Sequence, residues 1–116
     1  MKLPKPGRPV RGSRSGRPIM ALLDLLGRRM ALRILWELSR ADASLTFRSL
    51  QTAAETNPNV LNSRLKELRA AGLVDHDGGG YRLSEMGVSL TPLILQLHAW
   101  ADEWGARLAA VPRRKG

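Results

Sequence analysis

Asn59, Asn62, Ser63 and Lys66 lie within eight residues of one another, and their side chains are of kinds that hydrogen-bond base edges or phosphate oxygens in a DNA major groove. At about 100° per residue, Asn59, Ser63, Lys66 and Ala70 fall on one side of a helix, opposite Leu61, Leu65, Leu68 and Gly72. A purely solvated face would more often carry Glu and Lys, so the small amide and hydroxyl groups point to base contact. Around them, Arg48, Gln51, Arg64, Arg69 and Arg82 are candidates for phosphate contact. Arg64 stands toward the edge of the inner face, where pairing with an acidic scaffold residue competes with that role. Catalytic chemistry is thin by comparison. The two histidines, His76 and His98, belong to no nucleophile, base and orienter set, and His98 finds its simplest partner in Asp102 one turn on. Asp75-His76-Asp77 are adjacent hairpin residues that rarely converge on one ion, and no second cluster completes a site. The sequence therefore reads as a non-enzyme with no metal site and no cofactor.

The elements that must hold these residues are well punctuated. Asn57 is an N-cap, Pro58 suits the first helical position and Gly72 suits a left-handed end, which brackets the reading helix. Leu73-Val74-Asp75-His76 and Tyr81-Arg82-Leu83 read as strands around the turn Asp77-Gly78-Gly79-Gly80. Upstream, Phe47, Leu50 and Ala54 form the inner side of a modest helix, preceded by a short third strand at residues 44–47. Strand, helix, turn, helix and hairpin in that order make a winged helix-turn-helix, mainly α with a small β-hairpin. In that arrangement the second helix enters the major groove and the first crosses the backbone.

These residues resemble the HxlR-type winged-helix transcriptional regulators, relatives of the MarR group, over about residues 22–104. The resemblance rests on Leu25-Leu26-Gly27 before the apolar run at residues 30–38, and on Leu61-Asn62-Ser63-Arg64-Leu65-Lys66-Glu67-Leu68 before Ala71-Gly72-Leu73-Val74. It rests equally on Tyr81-Arg82-Leu83-Ser84-Glu85-Met86-Gly87 before Leu90, Pro92 and Trp100. The resemblance implies a cytoplasmic bacterial homodimer that binds operator DNA. Three features depart from it. Met30 stands where family members often have Trp, the wing at residues 75–82 is short, and the cysteine that some members use as a sensor is missing. The sequence contains no cysteine, which excludes thiol-based sensing in it.

The net charge of +9 is unevenly spread. Six cations and no acid lie in residues 1–18, three more cations are Arg113, Arg114 and Lys115, and the remainder holds ten basic and ten acidic residues. Attraction to a polyanion must come largely from the tails. Residues 1–18, rich in Pro, Gly, Ser and Arg, read as a disordered basic arm, and residues 111–116 as a basic tail. Lys5-Pro6-Gly7-Arg8-Pro9 and Arg14-Ser15-Gly16-Arg17-Pro18 each resemble, incompletely, an AT-hook core, in which glycine lets the backbone sit deep in a narrow A·T-rich minor groove. Arg8, Arg11, Arg14 and Arg17 are the arm's candidate contacts to minor groove or phosphate. A plain solubilising tail is the alternative.

Between the arms, residues 19–110 form one domain that includes a C-terminal helix at about residues 84–109. Ser84 can cap that helix, and Pro92 should bend it. Met86, Leu90, Leu93, Leu97, Trp100, Trp104 and Leu108 recur along it in a near-heptad seam. Leu90, Leu93, Leu97, Trp100 and Trp104 are the expected dimer interface, with packing inside the monomer as the competing role. No apolar run approaches the ~18 residues of a membrane span, and the cytoplasm is the expected location. The sequence thus predicts a homodimeric regulator of a two-fold duplex operator, with the wing and arm on backbone or minor groove and any small-molecule effector unknown. Its rivals are a winged helix used for protein contact and, less fitting for want of exposed aromatic stacking groups, an RNA-binding module.

Overall fold

The computed structural model of the chain describes residues 3–11, 14 and 16–111. Its elements run α1 (Pro18–Leu26), α2 (Ala31–Arg40), α3 (Phe47–Ala54), α4 (Pro58–Ala70), β1 (Val74–Asp77), β2 (Gly80–Leu83) and α5 (Glu85–Ala110). Local chemistry sets most of these boundaries. The Thr46 hydroxyl accepts the Ser49 N–H at the start of α3, the Asn57 side chain accepts the Val60 N–H at the start of α4, and Ser84 accepts the Gly87 N–H at the start of α5. Gly72, at φ +79°, turns the chain out of α4 so that the Leu73 N–H closes back on the Leu68 carbonyl. The apolar run expected from residue 30 becomes helical only at Ala31, because Met30 takes a left-handed conformation at φ +68°.

Ile34, Leu50, Leu61, Leu65 and Leu68 are fully buried and form the centre of the core. They come from α2, α3 and α4, each at helical spacing, so the three helices meet on their apolar stripes. The hairpin pairs Val74 with Leu83 and Asp77 with Gly80 around a Gly78-Gly79 turn, so the first strand runs one residue later than the sequence suggests and the second begins one residue earlier. The expected third strand shrinks to a single bridge, in which Leu45 and Tyr81 exchange backbone hydrogen bonds of 2.9 and 2.7 Å. It anchors the wing to the segment just before α3.

α5 stays helical through Pro92 for 26 residues, roughly 39 Å at 1.5 Å per residue. Its first turns dock on the domain, where Leu90 and Ile94 pack against the core. Beyond Ile94 every residue to Ala110 is exposed. The described part of the N-terminal segment departs from the expected disordered arm. Leu3 packs against the core, Pro4 is buried, and the groove that receives them is lined by Ala21, Leu22, Leu25, Ala70, Ala71 and Leu73. Two apolar residues near the start of an otherwise polar segment give it enough buried surface to be tethered. Further along, the Gly7 N–H donates to the Gly16 carbonyl at 2.9 Å, closing a loop that leaves Arg8, Arg14 and Arg17 exposed.

Candidate nucleic-acid interface

The capped start of α4 leaves Asn59, Asn62, Ser63 and Lys66 exposed on one face, while Leu61, Leu65 and Leu68 hold the opposite face in the core. Toward the other end of the helix, Lys66 and Arg69 join Arg82 of β2 in lining an open groove of about 560 Å³ between α4 and the wing. Asp75, His76 and Asp77 complete that groove. Three cations therefore face two carboxylates there, and Arg82 lies 3.6 Å from Asp77. Both members of that pair are largely exposed, so it is a weak, solvent-screened link that leaves the arginine able to change partners. Asp77 also accepts the Gly79 N–H across the turn, and the His76 ring stacks on Tyr81 with centroids 4.1 Å apart. His76 and Asp77 thus serve the wing's own geometry.

Arg64 does not belong to the exposed face. Its side chain is 13% exposed and its Nε lies 2.9 Å from Oε1 of Glu67, a close ion pair that is not aligned as a hydrogen bond. Arg64 sits one turn from Leu68 on the inner edge of α4, and the acidic scaffold residue that competes for it in the sequence is Glu67. Glu67 meets a second cation, Arg28, from the turn between α1 and α2. Arg48 is exposed on α3, and Gln51, one turn later, is half-buried. Among the arm's candidates, Arg11 approaches Asp24 of α1, with its N–H 3.3 Å and its Nε 3.8 Å from that carboxylate. The basic-tail residues Arg113, Arg114 and Lys115 lie outside the described residues.

The seam on α5 divides. Leu90 is half-buried against the core, whereas Leu93, Leu97, Trp100 and Trp104 are 53–60% exposed. Next to them, Ile19, Leu23 and Leu32 of α1 and α2 are exposed as well, and Ile19, Leu23, Leu32, Leu93 and Leu97 line one apolar groove. Trp100 and Trp104 stack on each other at 6.1 Å. The expected His98–Asp102 pair forms at 3.5 Å, and His98 also stacks on Trp36 of α2 at 5.7 Å, a tertiary contact without a local sequence signal.

An arrangement of this order, with a capped reading helix, a two-stranded wing and a long terminal helix, is matched by the HxlR-like helix-turn-helix family over residues 25–109. The chain belongs to that family. A relative, the HTH-type transcriptional regulator YvaP of Bacillus subtilis strain 168, is 30% identical over 90 residues, covering 71% of this chain and 82% of YvaP. The crystal structure of quinone-bound YodB from B. subtilis is similar in fold, with a TM-score of 0.66 and 28% identity over 74% of this chain and 96% of YodB. This HxlR-like chain is accordingly a transcriptional regulator of the helix-turn-helix class. The family match begins at the end of α1, so the tethered N-terminal segment and its arginines lie outside it. Among the described residues, no helix is long and apolar enough to cross a membrane.

Proposed function

We propose that the chain is a homodimeric, non-enzymatic regulator that binds a two-fold operator in duplex DNA in the bacterial cytoplasm. α4 reads the major groove through Asn59, Asn62, Ser63 and Lys66, while Arg48, Gln51, Arg69 and Arg82 bond the flanking phosphates. The observation that carries the reading is the division of α4 into a leucine face locked in the core and a small polar face left wholly exposed, in a chain of this family. Residues 19–110 act as one domain, and the basic segments at either end add sequence-independent attraction. The near-balance of charge in the groove beside the wing supports a division of labour in which long-range attraction comes from the ends and discrimination from α4. Leu93, Leu97, Trp100 and Trp104 meet their copies, or the partner's α1 and α2, because a lone subunit leaves them in water. YodB is known in a quinone-bound form. An effector of this chain would have to act without a thiol, since the sequence has no cysteine.

The test is binding of the full chain to a duplex carrying the gene's own upstream region, against random duplex and single-stranded RNA. The specific duplex is expected to bind tightest, and Ser63→Ala with Lys66→Ala should cut that preference tenfold or more without changing the melting temperature, because each specific base contact is worth about 1–3 kcal/mol. Equal binding to all three probes, or a double variant with unchanged preference, would move the function to protein contact.

A further inference from the structure

Glu67 is an anion on a helix whose exposed side is built for a polyanion, and its side chain is only 14% exposed. Its two carboxylate oxygens are taken by two different arginines. Oε1 faces Nε of Arg64 from one turn back on the same helix, and Oε2 accepts from Nη1 of Arg28, which lies 39 residues away in sequence. Arg28 and Arg64 are themselves 12% and 13% exposed, so the three groups form one nearly enclosed ionic unit. Arg28 belongs to the tight turn between α1 and α2, where the Ala31 N–H bonds back to the Arg28 carbonyl and Met30 is left-handed. The residues on either side of it, Leu26, Gly27 and Leu32, form a wall of the apolar groove that α5 completes. The ionic unit therefore joins the reading helix to the segment that carries that groove.

The leucine stripe of α4 fixes which face is buried but not the pitch of the helix to within a few degrees, since apolar contacts are non-directional. The hydrogen bond from Arg28 to Oε2 is directional, and the Arg64 charge holds the other oxygen. We infer that Glu67, held by Arg28 and Arg64, is a positioning residue that sets the pitch of α4, the DNA-reading helix, against the α1–α2 turn. Arg64 and Arg28 act through Glu67 and make no phosphate contact. The inference rests on the reading of α4 as the DNA-reading helix.

The test compares the full chain with the triple variant Arg28→Met, Arg64→Met, Glu67→Met, which replaces the ionic unit by apolar groups of similar length, an exchange that buried triads can tolerate without loss of stability. Melting, affinity for the upstream duplex and for random duplex, and the salt dependence of both are measured. The triple variant is expected to melt at or above the wild-type temperature, to keep the wild-type salt slope, and to lose at least tenfold in the ratio of specific to random affinity. An unchanged ratio would overturn the inference, because the leucines alone would then set the helix. A salt slope flatter by about 0.9 or more would overturn it too, since each lost phosphate contact contributes that amount. Should the triple variant not fold, Arg28→Gln, which leaves the Arg64–Glu67 pair in place, should lower the ratio at least fivefold and Arg28→Lys should restore it to within twofold of wild type. Wild-type ratios in both would again overturn it. A wild-type chain that prefers neither duplex would instead remove the DNA reading itself, an outcome distinct from all of these.

Discussion

Lys66 and Arg69 open onto the groove beside the wing, whereas Arg64, two residues before Lys66, turns into the protein toward Glu67. The difference is one of angle around the helix, since a step of two residues rotates the side chain by about 200°. Opposite behaviour on substitution follows. Arg69→Gln should lower affinity for every duplex alike, flatten the salt slope by about 0.9 per subunit and leave melting unchanged. Arg64→Gln should do the reverse, costing about 1–3 kcal/mol of stability as a charged contact of low exposure is lost, a drop of several degrees in melting temperature, with the salt slope intact. Titrating both variants across salt and melting them separately distinguishes the roles. The exposed face of α4 was legible in the sequence because it depends only on helical period. The inward turn of Arg64 was legible in part, as the Arg64-x-x-Glu67 spacing is local. The Arg28 half of the arrangement was not, because a contact spanning 39 residues leaves no periodic trace.

At the level of elements, caps and stripes were the readable part of the fold. Asn57 and Ser84, caps by sequence, each accept a backbone N–H three residues ahead, and Thr46, expected in a short strand, starts α3 in the same way. What escaped the sequence was docking between elements, such as the tether of Leu3 and Pro4, the Trp36–His98 stack and the left-handed Met30 that delays α2. The junction of wing and α5 shows how such docking constrains one residue. Gly87 is buried in the first turn of α5, and a Cβ there would lie 2.2 Å from the Leu73 carbonyl oxygen, which already accepts the Ser84 N–H. Backbone cannot yield as a flexible side chain would. Gly87→Ala should therefore push α5 away from the hairpin and cost about 1–3 kcal/mol despite the better helix propensity of alanine. A thermal melt at or above the wild-type temperature would show that α5 has slack at this point.

For the molecule as a whole, the distribution of apolar surface and the distribution of charge point to different partners. In the proposed dimer the exposed seam of α5 is covered, so Trp100→Glu or Trp104→Glu should place charge in it and oppose association. Sedimentation should then record monomers, and two variants that remain stable dimers would mean that the dimer is built elsewhere. The exposed charge at the N-terminal end suits an anionic partner, and deleting the segment does not isolate that charge. Deleting residues 1–17 would remove Leu3 and Pro4 along with the cations, uncovering Ala21, Leu25 and Leu73, and should lower stability by about 1 kcal/mol or more from lost apolar burial alone. Replacing Arg8, Arg14 and Arg17 by Gln keeps that tether and removes only exposed charge. The substituted chain should melt as the wild type does, and its slope of log affinity against log salt should flatten by about 0.9 for each arginine that had met a phosphate. Preference within the half-sites should survive, being carried by Asn59, Ser63 and Lys66. Any added preference for flanking A·T pairs should vanish, because a narrow minor groove discriminates through the arginines inserted into it. An unchanged slope and an unchanged flank preference in this variant would establish that Arg8, Arg14 and Arg17 serve solubility and that the electrostatic contribution to binding comes from other cations of the chain.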